Sequence, residues 1–215
     1  FSPDDTKLIS SSKEQDNKAI IWDLKTGEDI LQLTHFTYPV TAAAWAPNGE
    51  TFVVGSQDPE AALEVYKVTN DDGNAHPIYR WKEEGTLRVY DLALSPDGRR
   101  LVVLDKRRIL VFDWISREKI ADYDLDHMLH PQKGLTSIEI SSDSKYMLVS
   151  MHDHMIKLMV IDTGEVVRTF EGHKSSTYMI RAGFGGANEN FIVSGSEGLY
   201  NCLLLVNVIA YRCSH

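Results

Sequence analysis

The sequence predicts an all-β protein built from repeated units of short antiparallel strands. Two observations indicate this: a turn motif recurs at a nearly constant spacing, and each copy is followed by two β-rich runs. Gly, Pro and Asp turns separate the runs, and no segment has a convincing helical pattern.

The turn motif reads apolar residue, Ser or Ala, Pro, Asp or Asn, then Gly or Asp. Copies begin at Phe1, Trp45 and Leu94, and a weaker copy begins at Ile140. They follow one another at 44, 49 and 46 residues. Pro presets φ, and the Asp-Gly or Asn-Gly step tolerates the left-handed conformation of a tight hairpin. This period indicates a β-propeller, whose blades of four strands repeat every ~40–45 residues.

The first β-rich runs after the turns are 7–10, 51–55, 100–104 and 146–150, and the second are 19–23, 63–66, 109–113 and 156–159. Each second run carries a bulky residue at one register, in order Trp22, Tyr66, Phe112 and Met159. We therefore expect a partial propeller of about four blades, at 1–34, 35–80, 81–123 and 124–171, with an incomplete unit at 172–197. Trp45, Trp81 and Trp114 are expected in core or inter-blade packing.

Several residues give the repeat a family resemblance. Trp22-Asp23 is a WD dipeptide, Gly172-His173 is the pair that opens a WD blade, and Asp153 stands at a tight-turn position. The chain thus resembles WD-repeat proteins, in which His, Ser or Thr, Asp and Trp form a hydrogen-bonded network inside one blade. The resemblance implies structural roles for Trp22, Asp23, Asp153, Gly172, His173 and Ser194. No blade has the full set, and Met159 replaces the Trp of the fourth.

Two longer stretches narrow the resemblance. Residues 36–49 and 184–197, the latter opening with Phe184-Gly185-Gly186, look like the WD-repeat subunits of GID/CTLH ubiquitin ligases, and the likeness spans roughly 1–197. It implies a propeller of seven blades, helical LisH and CTLH segments ahead of it, and RING partners that perform the ubiquitin chemistry.

These features predict a non-catalytic protein-interaction scaffold that acts in ligase assembly or substrate recruitment for proteasomal degradation. Its partners would be CTLH- and RING-type subunits and substrates. A WD-repeat scaffold in another complex, such as trafficking or RNA processing, is the alternative. A propeller enzyme would need a carboxylate-rich or metal-lined channel, which nothing in the sequence marks. Position in the repeat suggests partner-facing loops at Tyr38 and Pro39, at His127 and His130, and at Tyr178.

Neither a cofactor nor a metal is expected. His152-Asp153-His154 has a spacing that can supply two metal ligands, but further ligands are not evident, and Asp153 is better explained as a turn residue. With 22 Lys and Arg against 31 Asp and Glu, the net charge of −9 opposes binding to nucleic acid or anionic membranes. The two cysteines, Cys202 and Cys213, favour a reducing setting in the cytoplasm, the nucleus or both.

Both ends of the chain depart from the repeat. Phe1 opens inside a turn motif, which suggests that the true N-terminus lies upstream. After Glu197 every repeat signature is lost, so residues 198–215 are either a gene-model artefact, through a frameshift or unspliced intron, or a divergent closing strand. Four blades alone would leave uncovered end faces, and this chain by itself is expected to be poorly soluble or oligomeric.

Overall fold

The computed structural model describes residues 1–13, 16–68, 76–81, 87–129, 133–175 and 178–197. Their regular structure is all β except for two short 3₁₀ turns, at Asp126–Met128 and Ala187–Glu189. The tail 198–215, with both cysteines, and His130 lie outside the described residues.

The described strands form five antiparallel sheets, which we call blades 1 to 5. Blade 1 contains β1 (Lys7–Ser11), β2 (Ala19–Asp23) and β3 (Asp29–Leu33). Blade 2 contains β4 (Val40–Trp45), β5 (Thr51–Ser56), β6 (Leu63–Lys67) and β7 (Tyr79–Arg80). Blade 3 contains β8 (Val89–Leu94), β9 (Arg100–Asp105), β10 (Arg108–Asp113) and β11 (Lys119–Asp124). Blade 4 contains β12 (Leu135–Ile140), β13 (Tyr146–Met151), β14 (Met155–Val160) and β15 (Val166–Glu171). Blade 5 contains β16 (Ala182–Gly185) and β17 (Phe191–Ser194).

Strand order within every blade follows chain order, so each blade folds from one continuous segment through successive hairpins. The strands β1, β2 and β3 of blade 1 correspond to the second, third and fourth strands of blades 2 to 4, because Trp22 on β2 pairs with Leu8 on β1 as Tyr66 on β6 pairs with Phe52 on β5. The bulky residues of these third strands therefore occupy equivalent places. The predicted fold class, a partial propeller of short antiparallel strands, is confirmed.

The proline turns form as the motif predicts, and blade 3 shows how. The Ser95 hydroxyl donates to Asp97 Oδ1 at 2.6 Å, and the Arg99 and Arg100 amides donate to Ser95 Oγ at 3.2 and 2.8 Å. Gly98 has a φ of 69°, which a residue without a side chain adopts without strain. Side chain and backbone together therefore close a tight hairpin between the first two strands.

The hydrophobic core lies between successive blades rather than inside any one of them. Clusters of buried apolar residues join blades 1 and 2, blades 2 and 3, blades 3 and 4, and blades 4 and 5. Blades 2 and 3 approach closely at Gly55, where a Cβ would lie 2.5 Å from Val89 Cγ1. Trp81 and Trp114 are buried in the cluster between these two blades, whereas Trp45 is partly buried against Phe52.

The antiparallel order gives the molecule two opposite faces. The connections between blades and the turns between second and third strands lie on one, the loop face (12–13, 16–18, 34–39, 57–62, 81, 87–88, 106–107, 125–129, 133–134, 152–154, 172–175 and 178–181). The proline turns and the turns after third strands lie on the other, the turn face (2–6, 24–28, 46–50, 95–99, 114–118, 141–145 and 161–165). A hydrogen bond between the equivalent turns of blades 3 and 4, from the Asp97 amide to Ser144 Oγ at 3.1 Å, shows that these neighbouring blades share this orientation.

Candidate protein-interaction surface

The predicted partner-facing residues within the described chain, Tyr38, Pro39, His127 and Tyr178, all lie on the loop face. They come from three of the connections between blades, so three different blades position them. Their role in partner binding stays a prediction.

The connection between blades 1 and 2 holds Tyr38 on a fixed backbone. The Thr37 amide donates to Asp58 Oδ2 at 3.2 Å, and the Pro39 carbonyl accepts from the Gln57 amide at 3.0 Å. Asp58 is buried, whereas Tyr38 is 43% exposed. The loop therefore presents a tyrosine ring to solvent from an anchored backbone, which lowers the entropy lost when a partner binds.

The connection between blades 3 and 4 presents His127 on the 3₁₀ turn at Asp126–Met128. Leu125 and Leu129 are buried on either side of it. Arg107 forms an ion pair with Asp126 and donates from Nη2 to the Leu129 carbonyl at 3.3 Å. The turn is thus fixed at both ends, and His127 is exposed between them.

The connection between blades 4 and 5 exposes a tyrosine and a methionine on the loop face. Tyr178 is 70% exposed and Met179 is 51% exposed. The Tyr178 amide donates to Glu197 Oε1 at 2.8 Å, which ties this connection to the segment after β17. Tyr and Met are enriched in protein interfaces, where they bury large areas and Tyr adds a hydrogen bond.

Three histidines lie near one another on the same face. His154 Nδ1 accepts from the Ser175 amide at 2.8 Å, and burial, with a smaller contribution from His154, lowers the pKa of His173. Burial also lowers the pKa of His152. Asp153 lies in the turn between β13 and β14. In the described part of the chain, no three His, Cys, Asp or Glu side chains are grouped so that they could hold a metal ion.

The two residues of the WD dipeptide have separate structural contacts. Trp22 Nε1 donates to Ser10 Oγ at 2.8 Å, which links the third strand of blade 1 to its second. Asp23 accepts from the Lys25 and Thr26 amides at 2.8 and 2.9 Å, and these bonds lower its pKa. Asp23 is therefore a turn cap on the turn face rather than a member of a buried network.

The other predicted WD positions are distributed over the far blades. Gly172 has a φ of 120°, a conformation that favours glycine. His173 is buried, and Ser194 donates to the Gly195 carbonyl at 3.1 Å. Trp22 and Asp153 belong to blades 1 and 4, so these residues do not meet in one network.

Blade 2 contains a buried polar network that the sequence did not reveal. Glu64 is fully buried and accepts from Arg80 Nε at 2.5 Å and from the Tyr66 hydroxyl, and His35 Nε2 lies 2.7 Å from its carboxylate. Burial first, and then the hydrogen bond to Glu64, raises the pKa of Tyr66. His35 could have been singled out from the sequence. It stands ten residues before Trp45, much as His173 of the Gly172-His173 pair stands eleven residues before Phe184.

A second polar group that the sequence did not reveal joins blades 3, 4 and 5 near their first strands. Asp91, on β8, accepts from the Ile138 amide of β12 at 3.0 Å and from Arg181 Nη2 at 3.1 Å. Arg181 directly precedes β16. Burial raises the pKa of Asp91, and the charge of Arg181 opposes that effect. This carboxylate fixes the relative positions of blades 3, 4 and 5.

Comparisons with known proteins agree with this geometry. The family model "WD domain, G-beta repeat" matches residues 27–60. A "WD repeat-containing protein WDS homolog" of Arabidopsis thaliana is 32% identical over 204 residues, which is 92% of this chain and 36% of the relative. The chain belongs to the WD-repeat proteins. This WD-repeat chain is also 32% identical to "GID complex subunit 7" of Schizosaccharomyces pombe over 180 residues, 80% of the chain and 32% of the relative.

A third relative extends the similarity to animals. A "WD repeat-containing protein 26 homolog" of Drosophila melanogaster is 26% identical over 199 residues, covering 92% of this WD-repeat chain and 29% of the relative. The chain thus spans about a third of the length of these relatives. Within the residues that the structure describes, no helix has the length and apolar character needed to cross a membrane.

Proposed function

We propose that this WD-repeat chain is a non-catalytic scaffold segment of a GID/CTLH-type ubiquitin ligase subunit, acting in ligase assembly or substrate recruitment for proteasomal degradation. The observation that carries the proposal is the 32% identity with GID complex subunit 7 across 80% of the chain. Partners would be RING- and CTLH-type subunits and substrate proteins, met in the cytoplasm or nucleus.

The structure supports a scaffold role through the loop face. Its exposed tyrosines stand on anchored connections from separate blades, and Tyr38 and Tyr178 are 43% and 70% exposed. Trp, Tyr and Arg are the side chains that most often dominate the binding energy of an interface. The ubiquitin transfer itself would be performed by partner subunits.

The test is affinity purification of the tagged full-length protein from its own cells, followed by quantitative mass spectrometry. We expect RING- and CTLH-type subunits in stoichiometric amounts. A Tyr38→Ala/Tyr178→Ala variant is expected to lower recovery of at least one loop-face partner about tenfold, since buried interface tyrosines contribute ~2 kcal/mol or more.

The matched control is Ile115→Ala, which changes an exposed apolar residue (76%) on the turn face. It should leave the recovery of loop-face partners unchanged. Recovery of a stable partner set without any ubiquitin-ligase subunit would reject the ligase assignment and favour a scaffold role in another complex.

A further inference from the structure

An arginine in blade 3 occupies a turn position where the equivalent turns of blades 1 and 4 have glycine. The amides of Gly27, Arg117 and Gly164 donate to the carbonyls four residues before them at 2.8, 2.9 and 2.9 Å, so the three turns are equivalent. Their φ angles are 75°, 67° and 70°. A residue with a side chain adopts this left-handed conformation only at a cost in free energy, and such strain is typical of functional sites.

Contacts with blade 2 hold the strained turn in place. Trp81 Nε1 donates to the Arg117 carbonyl at 2.9 Å. The guanidinium carbon of Arg117 lies 3.8 Å from the ring centre of Trp114, and 5.5 and 5.7 Å from those of Trp81 and Tyr79. Blades 2 and 3, each with all four strands, therefore build one aromatic cluster on which this guanidinium is fixed.

The positive charge of Arg117 has no counter-ion within the described part of the chain. Its Nη1 is buried and meets no acceptor there. The carboxylate at the start of the turn, Asp113, accepts from two amides of the turn and pairs with Arg100. Burial lowers the pKa of Arg117, because the cation is partly removed from water. Five other arginines do form ion pairs with carboxylates: Arg80, Arg100, Arg107, Arg108 and Arg181.

These features select a carboxylate as the ligand. The Arg117 side chain is only partly buried, and a guanidinium is a planar fork that can bind a carboxylate through two parallel hydrogen bonds. Because stacking on Trp114 already orders the side chain, little further entropy is lost on binding. The net charge of −9 disfavours a polyanion such as nucleic acid, so a single acidic side chain fits better. Tyr79, which is 38% exposed, offers apolar surface next to the cation.

We propose that Tyr79, Trp114 and Arg117 bind a segment of a partner protein that presents a Glu or Asp carboxylate next to a bulky apolar side chain. The carboxylate would accept from the Arg117 guanidinium, and the apolar side chain would pack on Tyr79. The site lies at the turn 114–118, on the turn face, and goes beyond the proposed scaffold function.

The test uses the full-length protein labelled with 5-fluorotryptophan, with the Trp114 resonance assigned by Trp114→Phe. Because the guanidinium lies on the Trp114 ring, the fluorine signal reports a charge that binds to Arg117. The probe is the peptide acetyl-Ser-Leu-Glu-Leu-Ser-amide, and we expect a saturable shift of this signal. Gln in place of Glu should weaken the apparent affinity at least about tenfold, and Gly in place of both Leu about two- to fivefold.

Two variants test the assigned contacts. Arg117→Gly removes the guanidinium and introduces the residue of the equivalent turns, so it should fold and bind the peptide at least about tenfold more weakly. Tyr79→Ala should weaken binding about two- to fivefold. The control is Lys145→Ala, which removes an exposed positive charge from the turn face of blade 4 and should bind like the parent protein. Thermal unfolding of each variant reports whether its fold is intact.

Several outcomes overturn the proposal. They are the absence of a saturable shift, an equal response to the Gln peptide, or unchanged binding by a folded Arg117→Gly variant. A Trp114 signal that moves with protein concentration alone would identify a second copy of the chain as the occupant instead. None of these results bears on the ligase subunits recovered by affinity purification, so the two proposals fail separately.

Discussion

Blades 1 and 2 place different residues at the same position of the third strand and stabilise them by different means. In blade 1, Trp22 donates one hydrogen bond to Ser10 and remains partly exposed. In blade 2, Tyr66 is fully buried, and its hydroxyl binds the carboxylate of Glu64, which is also fully buried. The repeat therefore preserves a place for a large aromatic side chain but not the polar group that pairs with it.

The difference follows from what surrounds each ring. The position in blade 2 equivalent to Ser10 is Val54, a buried apolar residue that cannot accept a hydrogen bond. Glu64 supplies the acceptor instead, and its negative charge is compensated by Arg80 and by contact with His35. The side chains of Arg80 and His35 are 41% and 39% exposed, so the network extends from the core to the surface.

The largest effect is expected where the blade 2 network is broken at its centre. Glu64→Ala removes the acceptor shared by Tyr66, Arg80 and His35 and leaves the buried Tyr66 hydroxyl with only His35 Nε2, at 3.2 Å, which should lower the free energy of unfolding by about 3 kcal/mol. Urea denaturation of the full-length protein measures this. Glu60→Ala, at an exposed position of the preceding turn, is the control and should change it by less than about 0.5 kcal/mol. Equal effects of the two substitutions would show that the network adds nothing to stability.

Alkaline pH separates the two blades because only blade 2 has a titratable group at this position. Since the pKa of Tyr66 is raised by burial and by its bond to Glu64, the unfolded chain releases this proton first. Stability should therefore be unaffected by Tyr66 below about pH 10 and fall above it by up to about 1.4 kcal/mol per pH unit. Tyr66→Phe should reduce that slope when stability is measured from pH 9 to 11.

The matched substitution is Tyr38→Phe, which alters an exposed tyrosine and should leave the slope as it is in the parent protein. Some slope will remain in Tyr66→Phe, because burial also raises the pKa of Tyr123. Identical slopes in the parent protein and Tyr66→Phe would mean that Tyr66 titrates alike in the folded and unfolded chains.

The same contrast shows which parts of the fold could be predicted from sequence. The register of Trp22, Tyr66 and Phe112 was predictable because strand alternation and turn chemistry are local properties. Glu64 was not predictable as a core residue, since an isolated charged residue in a strand is normally assigned to solvent. All of Leu63, Glu64, Val65 and Tyr66 are buried in the structure.

Features of the two faces differ in the same way. The place of Tyr38 and Tyr178 in loops could be predicted from their position in the repeat, which is a local property. The hydrogen bond from the Asp97 amide to Ser144 Oγ on the turn face was not predictable, because it joins residues 47 positions apart that meet only when the blades pack. The bond from Arg181 to Asp91 likewise joins residues 90 positions apart.

The smallest expected effect lies in blade 1, where one neutral hydrogen bond replaces the charged network. Ser10→Ala removes the acceptor of Trp22 Nε1 and should lower the free energy of unfolding by about 1 kcal/mol, because the partly exposed indole can still reach water. Ser11→Ala, the exposed neighbour on the same strand, controls for the loss of a strand serine and should have an effect near zero. If Ser10→Ala instead lowered the free energy of unfolding as much as Glu64→Ala, the hydrogen bond in blade 1 would be as important for stability as the buried carboxylate in blade 2. Differences in stability between the two blades would then have to come from cooperativity between blades rather than from the contacts within each.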